Sequence, residues 1–265
     1  MQSGGAHGSW NCRPLGHRLR IEPRAGARLC PGARSAGCEV VINGLDAARL
    51  EATANDLRKA TGARVTAVAG DVASSEGQAA LFAACPEPDI LVNNNAGPPP
   101  RALRELTRAQ IIDGVIANMI VAIELIQKAI EPMMARRFGR IVNITSGTVK
   151  LPQAGLDLSS GARGGLSIFV AGVARQVAGN NVTINNLLPG AFETDRLRTV
   201  LSGAAKRKGI SYEQAMTERI ASIPAKRLGD PAEFGAACAF LCSAQAGFIT
   251  GQNLLIDGGT FPGAL

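Results

Sequence analysis

From residue 38 to the end of the chain, short apolar runs alternate with stretches of helical periodicity. That alternation restricts the fold more than any other feature, because it is the pattern of βαβ units on a parallel sheet. Residues 38–42, 64–69, 89–93, 140–145, 182–188 and 253–257 read as strands. Asp46 is placed to cap a helix that runs to Gly62, with Leu50, Ala54 and Leu57 on one face. Further helices are predicted near 75–84, 107–136 and 158–179. Asp230-Pro231-Ala232-Glu233 opens another, with proline in its first turn. A charged, amphipathic insertion occupies about 193–222. The expected fold class is α/β: one domain over 38–265, a doubly wound, mostly parallel sheet with helices on both faces.

A chain of 265 residues suits a single large domain of this kind. No uninterrupted apolar stretch approaches the roughly 18 residues of a membrane span, so no membrane partner is expected. The six cysteines, at 12, 30, 38, 85, 238 and 242, follow neither metal-ligand nor disulfide spacing. Cys238 and Cys242 lie one helical turn apart in an apolar helix and read as core. A reducing, cytoplasmic setting fits. The net charge of +7 suggests nucleic acid only until it is located. Residues 1–37 hold six arginines against Glu22, which leaves +2 for the rest and no reason to expect a nucleic-acid partner. Both histidines, His7 and His17, also fall in that first segment. Residues 38–265 therefore have no histidine for a Ser-His-Asp triad or a histidine-ligated metal.

Residues 1–37 carry seven glycines and three prolines, and their arginines follow no amphipathic period. They show no run of four apolar residues, and without an apolar core segment they do not form a secretory signal. The expectation is a divergent leader, either disordered or read out of frame: codons for His17-Arg18 can hold a Thr-Gly pair one base along. On this reading the first strand and turn are divergent or missing.

Several motifs in 38–265 carry chemistry when taken together. Gly139-Arg140-Ile141-Val142-Asn143-Ile144-Thr145-Ser146 is a buried strand ending in a serine, followed by a loop and a helix opening Leu158-Ser159-Ser160-Gly161-Ala162-Arg163. Asn94-Asn95-Ala96-Gly97 ends another strand, Gly70-Asp71-Val72 a third, and Pro189-Gly190 with Thr194 follows a fourth. Gly251-Gln252-Asn253 leads into Asp257-Gly258-Gly259 at the end of the chain. This set resembles the short-chain dehydrogenase/reductase family, nearest to its 3-oxoacyl-(acyl-carrier-protein) reductase branch. The resemblance implies a Rossmann-type sheet and NADP or NAD as cofactor. It also implies a small-molecule carbonyl or alcohol substrate and a homodimer or homotetramer.

Residue by residue, the resemblance implies cofactor contacts at Asp71, Val72, Asn94, Ala96, Gly97, Pro189, Gly190 and Thr194. It assigns catalytic positions to Ser146, Ser159, Arg163 and Asn118. Each has a plainer reading, such as a helix cap for Asp71 and a satisfied core amide for Asn118. The family places a tyrosine thirteen residues after the strand-end serine and a lysine four beyond it; here those positions hold Ser159 and Arg163. Ketone reduction by hydride needs a general acid with a pKa near the working pH. A serine hydroxyl ionises far less readily than a phenol, and arginine does not deprotonate. The only tyrosine, Tyr212, lies in the 193–222 insertion, a candidate substrate lid, where an ordinary amphipathic-helix aromatic is the plainer reading. The family's glycine-rich phosphate turn should fall near 17–24, which contain no glycine. At the tip of the 38–42 strand, Asn43-Gly44-Leu45-Asp46 presents neither the acid that marks NAD nor the arginine that marks NADP.

The expected function is an NAD(P)-linked oxidoreductase of secondary alcohols and ketones, with impaired activity. A catalytically inactive relative that binds ligands on the same scaffold, or a damaged gene product, is the alternative.

Overall fold

The computed structural model describes residues 18–21 and 39–263. Seven strands form one sheet: β1 (Arg18–Ile21), β2 (Glu39–Gly44), β3 (Arg64–Ala69), β4 (Ile90–Asn93), β5 (Gly139–Ile144), β6 (Val182–Pro189) and β7 (Asn253–Ile256). Their spatial order is β3-β2-β1-β4-β5-β6-β7, and every neighbouring pair is parallel. The chain winds outward from the centre to one edge, returns, and winds to the other. The reversal lies between β1 and β4, and ligands of such sheets bind outside the carboxyl ends of the strands at that point.

The expectation that residues 1–37 supply no strand is corrected at one place. Arg18–Ile21 is the central strand, in register with Glu39–Ile42 on one side and with Ile90–Leu91 on the other. A four-residue strand held by main-chain pairing on both edges needs no long apolar run of its own, so periodicity could not find it. The remainder of that expectation, including the phosphate turn, lies outside the described residues.

Helices cover both faces. Val40 and Ile42 face α1 (Ala47–Thr61) and α8 (Pro231–Leu241), in one core with Leu50, Leu57, Phe234 and Leu241. Val41, Leu91, Ile141 and Ile184 face α2 (Ser75–Ala84), α4 (Val121–Ala135) and α5 (Asp157–Val177), in a second core with Leu81, Leu125, Met133 and Val170. Burial on both faces explains why β5 is buried at all six positions rather than alternately. Asp46 caps α1, accepting from the Arg49 N–H at 3.0 Å, and Gly62 ends it at φ 68°. Asp230 and Glu233 form a capping box on α8. The charged insertion is the helix pair α6 (Asp195–Lys208) and α7 (Tyr212–Ser222).

The predicted helix at 107–136 differs in two ways. It is α3 (Arg108–Val115), a π turn (Ile116–Ile120) and α4 in continuous succession. It is also apolar enough to correct the reading of the chain as lacking any span-length segment: Arg108–Ala135 has a mean hydropathy of 1.8 over 18 residues. By length and composition it could cross a membrane. In the fold, Val121, Leu125, Ala129 and Met133 seal the second core, while Ile111, Ile112 and Ile120 stay exposed.

Candidate active site

β5 ends at Ile144, and Ser146 caps the short 3-10 turn that follows. The Ser146 Oγ accepts from the Thr148 N–H at 3.2 Å and from the Thr148 hydroxyl at 2.9 Å. No donation by the Ser146 hydroxyl is found among the described residues. A Cβ on Gly147 would sit 3.2 Å from the Pro189 carbonyl, so this turn lies against the end of β6.

The π turn brings Asn118 to the same end of the sheet, where such turns commonly mark functional positions. Its carboxamide is 5% exposed and held on three sides. Asn118 Nδ2 donates to the Ala96 carbonyl (3.0 Å), and Oδ1 accepts from Ser159 Oγ (3.1 Å) and from Arg163 Nε (2.9 Å). In return, Asn95 Nδ2 donates to the Ala117 carbonyl (3.1 Å). Ser159 and Arg163, one turn apart on α5, also meet each other at 3.3 Å.

The Arg163 guanidinium turns inward. It is 8% exposed, and it donates from Nη1 to the Ile144 and Thr145 carbonyls (2.7 and 2.9 Å) and from Nη2 to the Asn95 carbonyl (3.1 Å). The structure thus gathers Asn118, Ser159 and Arg163 into one network, tied to the carbonyl of Thr145, the residue before Ser146. The single proton of Ser159 is directed at Asn118. The cation that could have held ribose hydroxyls is engaged with strand-end carbonyls. Amide, hydroxyl and guanidinium groups are not of the kinds that exchange a proton readily near neutrality.

Beneath it lies a feature the sequence reading missed. Asn93, Asn143, Asn186 and Asn253 occupy matched registers on β4, β5, β6 and β7. Each carboxamide donates to the next: Asn93 to Asn143 at 2.9 Å, Asn143 to Asn186 at 3.0 Å, Asn186 to Asn253 at 2.8 Å. The available signal was an asparagine in each of these strands, at the end of β4, next to the end of β5, within β6 and at the start of β7, and the match is visible only once the registers are known. Asn93 Oδ1 is buried and has no hydrogen-bond partner among the described residues. It borders a cavity of about 20 Å³ shared with Asn94, Asn118 and Arg163, room for about one water.

The other predicted positions line the rim. Asp71 Oδ1 accepts from the Ala73 N–H at 2.9 Å, the turn role weighed for it, while its carboxylate remains exposed. The Val72 side chain packs in the core, so any ligand contact there falls to the main chain. Asn94 and Gly97 are half-buried after β4, and Ala96 is exposed. Pro189 ends β6 and Gly190 follows it; a Cβ on Gly190 would come within 2.7 Å of Asp257 Cα, so the residue after β7 dictates that glycine. Thr194 caps α6, accepting from the Leu197 N–H at 3.3 Å. Asn43 turns inward to the Val68 and Gly70 carbonyls (2.8 and 3.1 Å), which leaves Leu45, 77% exposed, at the tip of β2.

These strand ends fit a dinucleotide from β2 across to the Pro189–Thr194 loop. The fit changes at the nicotinamide ribose, where the resemblance places a lysine and this chain has the inward guanidinium of Arg163. Tyr212 stands apart from the network and lines a separate cleft with Thr194 and Leu228.

Comparison with known proteins agrees with this geometry. The family model described as enoyl-(acyl carrier protein) reductase matches residues 26–260. The NADPH-dependent reductase BacG of Bacillus subtilis is 31% identical over 226 residues, 83% of this chain and 87% of that protein. The 3-oxoacyl-(acyl-carrier-protein) reductase FabG of Vibrio cholerae is 35% identical over 173 residues, 65% of this chain and 66% of that protein. Among solved structures, YwfH, titled an NADPH-dependent reductase involved in bacilysin biosynthesis, superposes with a TM-score of 0.86. It shows 27% identity and covers 94% of this chain and all of that one. The chain belongs to the short-chain dehydrogenase/reductase family.

Proposed function

We propose that this chain is an NAD(P)-linked oxidoreductase of the 3-oxoacyl-thioester reductase type whose proton-transfer step is impaired. The carrying observation is the network in which Ser159 gives its proton to Asn118 while Arg163 is anchored on the Ile144, Thr145 and Asn95 carbonyls. A bound nicotinamide nucleotide supplies hydride chemistry. Asp71, the main chain of Val72, Asn94, Ala96 and Gly97 would hold its adenosine side; Pro189, Gly190 and Thr194 would meet its carboxamide. Ser146, with its proton free to donate, would orient the carbonyl of the substrate. The alkoxide that forms there finds no ionisable donor in Ser159 or Arg163. The same observation favours a second reading, a relative that binds ligands without turnover or the product of a damaged gene.

BacG and YwfH are NADPH-dependent by name, which supports NADPH as the first nucleotide to test. We read 1–37 as a divergent or out-of-frame segment; sequencing the gene tests this, and an intact frame with transcript support would refute it. From Glu22 onward, the sequence that follows β1 does not carry the family's Thr-Gly-x-x-x-Gly-x-Gly pattern, which supports weak binding. Titrating NADPH and NADH against the purified protein checks that: a dissociation constant in the low micromolar range (roughly −7 to −8 kcal/mol) would contradict it, and no binding of either would favour the damaged product.

The exposed Ile111, Ile112 and Ile120, with Ile168 and Phe169 on α5, form an apolar face suited to pairing two copies about a two-fold axis. Cys85, Cys238 and Cys242 are buried in the core, which suits a reducing, cytoplasmic location.

A further inference from the structure

One buried polar side chain beneath the rim is not accounted for by packing. Gln78 is 5% exposed, on the face of α2 that also buries Leu81. A buried carboxamide is costly unless its protons are bonded, and a leucine would fill the same place without that demand. Both protons of Gln78 are bonded: Nε2 donates to the Val72 carbonyl (3.0 Å) and to Glu124 Oε2 (2.6 Å). The second bond is short and charge-assisted. Glu124 is half-buried on α4, and its carboxylate has no other hydrogen bond or ion pair among the described residues.

These bonds reach the rim through two peptide planes. The Val72 carbonyl and the Ala73 N–H belong to one planar peptide and point in opposite directions. Gln78 pins the carbonyl inward, and the N–H donates to Asp71 Oδ1 at 2.9 Å. In the preceding peptide the Asp71 carbonyl accepts from the Ser74 N–H (3.0 Å) and hydroxyl (2.8 Å). That turns the Val72 N–H away from Ser74, and it has no acceptor among the described residues. Asp71 Oδ2 and the Val72 N–H are thereby left as an acceptor beside a donor. The adenine edge offers a donor at its 6-amino group and an acceptor at N1, the complement of that pair; hypoxanthine offers the reverse.

We infer that Gln78 is a positioning residue for the nucleotide. Anchored on Glu124, it fixes the Val72–Ala73 peptide and through it the direction of the Asp71 carboxylate, so that a side chain of α4 supports the preference for adenine over hypoxanthine. The inference rests on the nucleotide-binding reading above.

Calorimetric titration of the full chain with NADPH and with its hypoxanthine analogue, carried to millimolar concentration, tests it. The parent should prefer NADPH by about tenfold or more. Gln78→Leu, which fills the site without its donors, should cut that preference to about threefold or less. Glu124→Gln keeps an acceptor for Gln78 and should retain the preference. If Gln78 served stability alone, its loss would lower the thermal midpoint and weaken both nucleotides alike, and an unchanged preference in Gln78→Leu overturns the inference. Should that variant fail to fold, Glu124→Leu removes the anchor from a half-buried position, and the same two outcomes decide. A parent that binds NADPH without preference for its base sinks the inference and spares the reductase reading. A parent that binds neither nucleotide overturns both.

Discussion

Replacing Arg163 with alanine removes the donor set that ties α5 to the ends of β4 and β5. The buried acceptors affected are the Ile144 and Thr145 carbonyls and Asn118 Oδ1, with the Asn95 carbonyl half-buried beside them. Each orphaned buried acceptor costs about 1–3 kcal/mol. Relief of the buried cation's desolvation offsets part of that, which leaves a net loss of about 3–5 kcal/mol from these acceptors together. A domain of this size loses about 2–4 °C per kcal/mol, so the midpoint should fall by roughly 6–20 °C. Lysine, with three donors on one atom, should recover part of the loss. Thermal unfolding followed by circular dichroism is the assay. A midpoint for Arg163→Ala within about 2 °C of the parent would mean the guanidinium is not a clamp, and the reasoning that withholds it from the ribose would fail.

Asn143→Ala breaks the asparagine ladder in the middle, orphaning Asn93 Nδ2 and Asn186 Oδ1; urea denaturation should register a loss of about 2–6 kcal/mol, and a loss under about 0.5 kcal/mol would dismiss the ladder as a stabilising element. Glu233 has its pKa lowered to about 2, first by its hydrogen bond from Arg227 and next by the Asp230 N–H. Because the folded pKa is depressed, its contribution to α8 is present above the unfolded value near 4.5 and disappears as pH falls toward 2; an NMR titration of the Glu233 carboxyl with a midpoint near 4.5 would contradict this. Ile168 is 79% exposed on α5, and Ile168→Glu should convert a dimer or tetramer to monomer by light scattering; a parent protein that is already monomeric would dispose of the proposed face.

The helices and outer strands were legible because their apolar periods match their burial: Leu50, Ala54 and Leu57 are the buried face of α1. Caps at Asp46 and Asp230 were legible for the same local reason. β1 was not, since a four-residue central strand is specified by its neighbours on both sides. The π turn and the asparagine ladder were not, because both depend on registers between segments remote in sequence. At the site, spacing was enough to bring Ser159, Arg163 and Asn118 together. It could not indicate the direction of the guanidinium, which is set by carbonyls that only the folded strand ends present.

The measurement that bears most directly on the central claim is NADPH-dependent ketone reduction by the parent and by Ser159→Tyr/Arg163→Lys, side by side at matched nucleotide saturation. A restored general acid should raise turnover by about 10²–10⁴. A parent that reduces ketones as fast as the double variant would show that the missing proton donor is supplied elsewhere, and the account of this site would be wrong.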